Sequence, residues 1–115
     1  MTELSKKKCV PCLSDAAPLT GDLLRPLYMQ LDEGWNVINE HHLEKEYHFK
    51  NFKKALEFAN IVGKVAEEEG HHPDLYLSWG KLKIQLFTHE IEGLSESDFI
   101  LAAKIEAEYV SHQGS

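Results

Sequence analysis

No apolar run in the chain approaches the ~20 residues that a membrane-spanning helix needs, and the first residues lack the apolar core of a secretory signal. A cytosolic protein with no membrane partner is the expectation. Cationic side chains are also scarce, 12 Lys and Arg against 19 Asp and Glu, for a formal net charge of −7. This argues against a nucleic-acid partner, because phosphates are contacted mainly by clustered Lys and Arg. The only basic cluster, Lys6-Lys7-Lys8, lies in a polar stretch and reads as solvated. Cysteine is confined to Cys9-Val10-Pro11-Cys12. Such a pair can be redox-active or supply half of a zinc site. No strand-to-helix junction surrounds it, however, and two further zinc ligands would have to come from the distant His41 and His42. Two reduced thiols on an N-terminal arm are the simpler reading. What is present in ordinary measure is a core: 43% hydrophobic and 27% charged residues in a chain of 115 fit one globular domain.

Periodicity divides that domain. Residues 1–19, with Pro11 and Pro18, read as an arm, residues 20–110 as the single domain, and 111–115 as a tail. After a cap at Thr20 or Asp22, the apolar positions Leu23, Leu24, Leu27, Tyr28 and Leu31 recur at helical steps, with Pro26 placed in the first turn or so and Gly34 as the stop. Trp35, Val37 and Asn39 alternate with polar neighbours, and Leu43, Lys45, Tyr47 and Phe49 alternate again, which predicts a hairpin. Asn51 caps a long helix bearing Phe52, Ala55, Leu56, Ala59, Val62 and Ala66, and Gly70 ends it. A second hairpin follows, from Leu75 to Trp79 and from Leu82 to Thr88 around Gly80-Lys81; Ser95 and Asp98 then resemble a capping box that opens the last helix. The expected fold is α+β, in two layers: a four-stranded antiparallel sheet with three helices packed on one face, in the order α-β-β-α-β-β-α. The bare face and edge strands of so small a sheet predict a homodimer or homotetramer.

Seven histidines are present, and position separates them. His71-His72-Pro73 follows the long helix; Glu67 lies four residues before His71 and is expected on the same side, while His72 must point elsewhere. His89 is expected to close the fourth strand, with Asp98 in the first turn of the last helix. Histidine exchanges protons near neutrality, so His71, His72, His89, Glu67 and Asp98 form a candidate acid-base set. Two other readings stand beside this one. His71, His72, His89 and Glu67 are possible zinc or iron ligands, although adjacent histidines seldom face one ion, and Asp98 is equally well a capping partner of Ser95. Trp35, Phe49 and Trp79 read as core or interface residues, and His41, His42 and His48 as surface residues.

The sequence Glu67-Glu68-Glu69-Gly70-His71-His72-Pro73, an aromatic hairpin, Thr88-His89-Glu90 and Gly93-Leu94-Ser95-x-x-Asp98 together resemble the signature of the pterin-4a-carbinolamine dehydratases. Trp35 and the Tyr47-His48-Phe49-Lys50-Asn51-Phe52 run extend the resemblance over residues 20 to 109. It implies removal of water from a 4a-hydroxytetrahydrobiopterin to give a quinonoid dihydropterin, with neither metal nor organic cofactor, and a functional link to an aromatic amino acid hydroxylase. On that reading His71 and His89 are the acid-base pair, His72 binds and orients substrate, and Glu67 orients or tunes a histidine. Pro73 and the backbone of Thr88, His89, Glu90 and Ile91 would shape the pterin pocket. Two features depart from the family: Leu75 stands where an aromatic is common, with Tyr76 following it, and the Cys9-x-x-Cys12 arm is not part of the signature.

Overall fold

Alternation fixes which side of each strand is dry. In a computed structural model describing residues 6, 18–31 and 34–113, Leu43 and Tyr47 of one strand and Leu82, Ile84 and Leu86 of its neighbour are all buried on a shared face. The elements are α1 (Gly21–Tyr28), β1 (Asn36–Ile38), β2 (His42–His48), α2 (Phe52–Glu69), β3 (Asp74–Ser78), β4 (Lys81–Leu86) and α3 (Glu96–Gln113). Among the described residues the expected order therefore holds: three α-helices and one antiparallel sheet of four strands, arranged β1-β2-β4-β3. Leu43 pairs with Leu86, Lys45 with Ile84 and Tyr47 with Leu82, so side chains stack in rows across the sheet. The helices cover the apolar face, with Phe58, Val62 and Val65 of α2 and Phe99, Ile100, Leu101 and Ile105 of α3 completing the core. The opposite face carries Glu44, Glu46, Lys83 and Gln85, a polar ladder in which Gln85 Nε2 donates to Glu44 Oε1 at 2.8 Å.

Two helix ends were legible as local chemistry. The Asn51 side chain accepts from the Lys54 amide at 2.9 Å, satisfying one of the orphan donors of α2. Gly70 takes φ 66, the left-handed position that ends helices and that glycine adopts without a Cβ clash.

Other boundaries moved for identifiable reasons. β1 stops at Ile38 because Asn39 and Glu40 have φ of 52 and 54, and His41 N donates to Ile38 O at 2.8 Å. Ile38 pairs with His42, so this hairpin turns through three residues, Asn39, Glu40 and His41, with positive φ at the first two. The second hairpin closes on the Ser78–Lys81 pair, so its turn is Trp79-Gly80. Pro26 lies in the second turn of α1, not the first; its missing N–H is tolerated where both Pro26 and Asp22, four residues earlier, are exposed. Packing also reaches back to Leu19, whose amide donates to Leu94 O at 2.8 Å, and α3 runs on to Gln113. Lys6 excepted, the rest of the proposed arm up to residue 17, with Cys9 and Cys12, lies outside the described residues, as do residues 114 and 115. No helix among the described residues is long and apolar enough to cross a membrane.

One polar cluster enters the core. Lys45 and Tyr47 point inward, and both Nζ and Oη donate to Glu106 Oε1 at 2.6 Å. Burial, with the Glu106 carboxylate adding to it, pushes the Tyr47 phenol well above its usual range. Tyr47 stays neutral and acts as a donor.

Candidate active site

The left-handed turn at Gly70 determines where the two adjacent histidines go. His71 N still donates to Ala66 O at 3.2 Å, closing the helix end. The His71 ring then swings across to α3, where Nε2 lies 2.6 Å from Asp98 Oδ1. The His72 ring instead returns along α2 and meets Glu67, Nε2 to Oε2 at 2.5 Å. The expectation that Glu67 and His71 share a side is thus corrected. The four-residue spacing would hold in a continuing helix, but the turn at Gly70 breaks it and hands Glu67 to His72.

The two pairs differ in environment. Asp98 is fully buried and the His71 side chain is 15% exposed, whereas His72 and Glu67 are 60% and 78% exposed. An ion pair as open as Glu67–His72 contributes little to stability; the buried pair is the one that can hold a ring in place.

Asp98 is the capping partner of Ser95 and also faces His71. Its Oδ2 accepts from the Ser95 amide at 2.8 Å, which is the helix cap, and from Thr88 Oγ1 at 2.9 Å. Thr88 Oγ1 and Ser95 Oγ also lie 2.7 Å apart. With Oδ2 occupied by these donors, Oδ1 is left for His71. A carboxylate accepting from several donors is held in one orientation, and so is the imidazole it faces. The sequence signal Ser95-x-x-Asp98 gave the cap; the part played by the Thr88 hydroxyl had no local signal.

His89 does not close β4. The strand ends at Leu86, Thr88 pairs with Gly93 as an isolated bridge, and His89, Glu90 and Ile91 form a single 3-10 turn. The cause is the tight return of the chain: Thr88 N donates to Gly93 O at 2.7 Å, and Ile91 N to Thr88 O at 3.2 Å. Thr88 is 1% exposed, with its amide and carbonyl both engaged in the turn. It was expected to offer backbone groups to a ligand; what it offers is its hydroxyl to Asp98. His89 is exposed one residue further on, its ring centroid 4.2 Å from that of Phe87. Pro73 and Ile91 are half-buried and Glu90 is exposed.

The structure thus joins His71, Asp98, Thr88 and Ser95 by hydrogen bonds, sets His72 and Glu67 beside them, and places His89 next in the chain to Thr88. The end of α2, the end of β4 and the start of α3 meet there. Among the described residues, no three His, Cys, Asp or Glu side chains are grouped as a metal ion requires. A separate open cleft of about 350 Å³, between α1 and β1, is lined by Leu24, Arg25, Tyr28, Asn36, Val37 and Glu40. None of the expected site residues belongs to it.

What the residues define is a small four-stranded α+β protein with a buried aspartate–histidine pair and a second imidazole on the adjoining turn. Comparison with known proteins narrows this. Residues 17–108 match the model of the pterin 4 alpha carbinolamine dehydratase family. A chain from Alkaliphilus metalliredigens (strain QYMF) bearing the name pterin-4-alpha-carbinolamine dehydratase is 58% identical over 106 residues, covering 92% of this chain and 96% of that one. Among solved structures, the transcriptional coactivator/pterin dehydratase from Brucella melitensis superposes with a TM-score of 0.72 at 26% identity, covering 78% of this chain and 96% of that one. A pterin dehydratase-like protein, described as a RuBisCO assembly factor in the alpha-carboxysome, shares the fold with a TM-score of 0.56 at 21% identity, over 65% of this chain and 88% of that one. The chain belongs to the pterin 4 alpha carbinolamine dehydratase family, and it is an enzyme of the hydro-lyase class.

Proposed function

We propose that this enzyme dehydrates 4a-hydroxytetrahydrobiopterin to the quinonoid dihydropterin by histidine acid-base catalysis. The reaction breaks the C4a–O bond and the N5–H bond and forms the C4a=N5 double bond. One proton goes to the departing hydroxyl, which leaves as water, and one is taken from N5. The balance closes with no oxidant, reductant or metal. Two positioned proton-transfer groups are needed, and each typically contributes ~10² to 10⁴-fold in rate.

The observation that carries the reading is the buried His71–Asp98 pair, with His89 beside the threonine that helps to hold it. A carboxylate at His71 Nε2 favours the tautomer with its proton there and leaves Nδ1 to exchange a proton with the ligand. His89 is exposed on its turn and supplies the second group. His72, steadied by Glu67, binds and orients the pterin edge, and Pro73, Glu90 and Ile91 line the approach. Asp98 and Glu67 are positioning residues. The same reading includes a cytoplasmic location, a homodimer or homotetramer formed through the edges and faces that the single chain leaves open, and a role in returning pterin to an aromatic amino acid hydroxylase.

The test is direct. 4a-hydroxytetrahydrobiopterin is presented to the purified protein and quinonoid dihydropterin is followed by absorbance. Acceleration over the spontaneous reaction supports the proposal. A rate equal to the spontaneous one would favour an interaction protein on the same fold, the kind of role described for the RuBisCO assembly factor.

A further inference from the structure

His89 stands on a single 3-10 turn, exposed, with no strand or long helix to fix its ring. An acid-base group needs better placement than that, since a misplacement of about 1 Å can lower a rate by ~10². The Phe87 ring supplies a contact: its centroid is 4.2 Å from that of His89, at an interplanar angle of 44°. The other neighbour of Phe87 is the His41 ring, 4.8 Å away and tilted by 37°. Phe87 therefore packs against two imidazoles.

The His41 imidazole is itself held. His41 Nδ1 is 3.0 Å from His42 Nδ1, and His42 Nε2 is 3.6 Å from Glu44 Oε1. The hairpin turn carrying His41 is tied to α1, because Gly21 N donates to Glu40 Oε2 at 3.0 Å. His42 and Glu44 belong to β2, next to β4 in the sheet. A run of side-chain contacts thus leads from the sheet through His41 and Phe87 to His89.

We propose that Phe87 is a positioning residue for His89 and is itself braced by His41. The geometry favours this over incidental surface packing because aromatic rings at these separations attract one another, and because the phenyl face also attracts an imidazolium. His89 is thereby held in one orientation whichever proton state the reaction gives it. The inference rests on the dehydratase reading above and extends it to two residues outside the acid-base set.

The experiment compares wild type, Phe87→Leu, Phe87→Tyr, His41→Ala and His89→Ala in the dehydratase assay, with NMR of the His89 ring protons in each folded variant that retains the ring. Phe87→Leu should lower kcat roughly tenfold or more while moving KM less than about twofold, as loss of alignment does. Phe87→Tyr, which keeps the ring face, should recover most of the rate, and His41→Ala should fall between them. The ring-current shift of the His89 protons should be present in wild type and Phe87→Tyr and lost in Phe87→Leu. A Phe87→Leu protein with wild-type kcat, or one whose His89 resonances do not move, overturns the proposal. A wild-type protein no faster than the spontaneous reaction shows instead that the dehydratase assignment has failed, and a His89→Ala protein as fast as an active wild type shows that His89 is not one of its proton-transfer groups.

Discussion

Replacing Asp98 by asparagine keeps the side-chain volume and removes one acceptor from a fully buried carboxylate whose two oxygens are both in use. Oδ2 receives the Ser95 amide at 2.8 Å and the Thr88 hydroxyl at 2.9 Å, and Oδ1 faces His71 Nε2 at 2.6 Å. An amide has a single oxygen. If that oxygen stays with Ser95 and Thr88, the amide NH2 meets His71 Nε2, and the imidazole must carry its proton on Nδ1 to avoid two donors face to face. If the amide flips, it keeps His71 and sets its NH2 against the Ser95 N–H. Either way one charge-assisted bond is lost, worth about 1.5 to 3 kcal/mol, which lowers Tm by on the order of 10 °C for a domain of this size. The activity effect is larger. Shifting the proton to the wrong nitrogen of an aspartate-held histidine costs on the order of 10⁴ in rate. Stopped-flow dehydration measured well below the lowered Tm separates the two effects. Asp98→Asn should be folded by circular dichroism and at least about 10²-fold slower. A folded variant within twofold of wild-type kcat would refute the idea that Asp98 sets the orientation and tautomer of His71.

Smaller perturbations should be ordered by their distance from the chemistry. Thr88→Val removes one donor to Asp98 while leaving the Ser95 amide in place; it should cost about 1 kcal/mol by thermal denaturation and slow turnover less than Asp98→Asn does. Gly70→Ala should destabilise by about 1 kcal/mol from its φ of 66 alone, since an added Cβ would meet nothing within 4 Å, and it should also shift the His71/His72 loop enough to lower kcat. Tyr47 links folding to alkaline pH. Its folded-state pKa is raised above the ordinary 10.0, so above about pH 10 the unfolded chain loses a proton that the folded chain keeps, and stability falls as pH rises. Urea titrations from pH 9 to 11 should show this slope reduced in Tyr47→Phe by up to about 1.4 kcal/mol per pH unit.

Much of the architecture was legible because it rests on local chemistry. The alternation of Leu82, Ile84 and Leu86, the Asn51 cap and the Gly70 stop each follow from one or two residues and their immediate neighbours. The boundaries that moved depend on backbone angles that composition does not declare. Glu40 at φ 54 shortens β1, and the return of the chain at Gly93 takes His89 out of β4. For the candidate set, the residues could be named from the sequence but their pairing could not. Helical spacing joined Glu67 to His71, but one left-handed residue sent His71 to Asp98, 27 positions along the chain. The link from His41 to His89 was not readable at all, because it runs through Phe87, whose contact with His41 joins a hairpin turn to the end of β4 through space.

In the proposed reaction two imidazoles carry the proton transfers. The most direct test of this is the dehydration rate of the His71→Ala, His89→Ala double variant beside wild type, with the fold of each checked by circular dichroism. Turnover by the folded double variant should drop close to the spontaneous rate, a loss of ~10² to 10⁴-fold or more. A folded double variant that dehydrates the pterin as fast as wild type would contradict the claim.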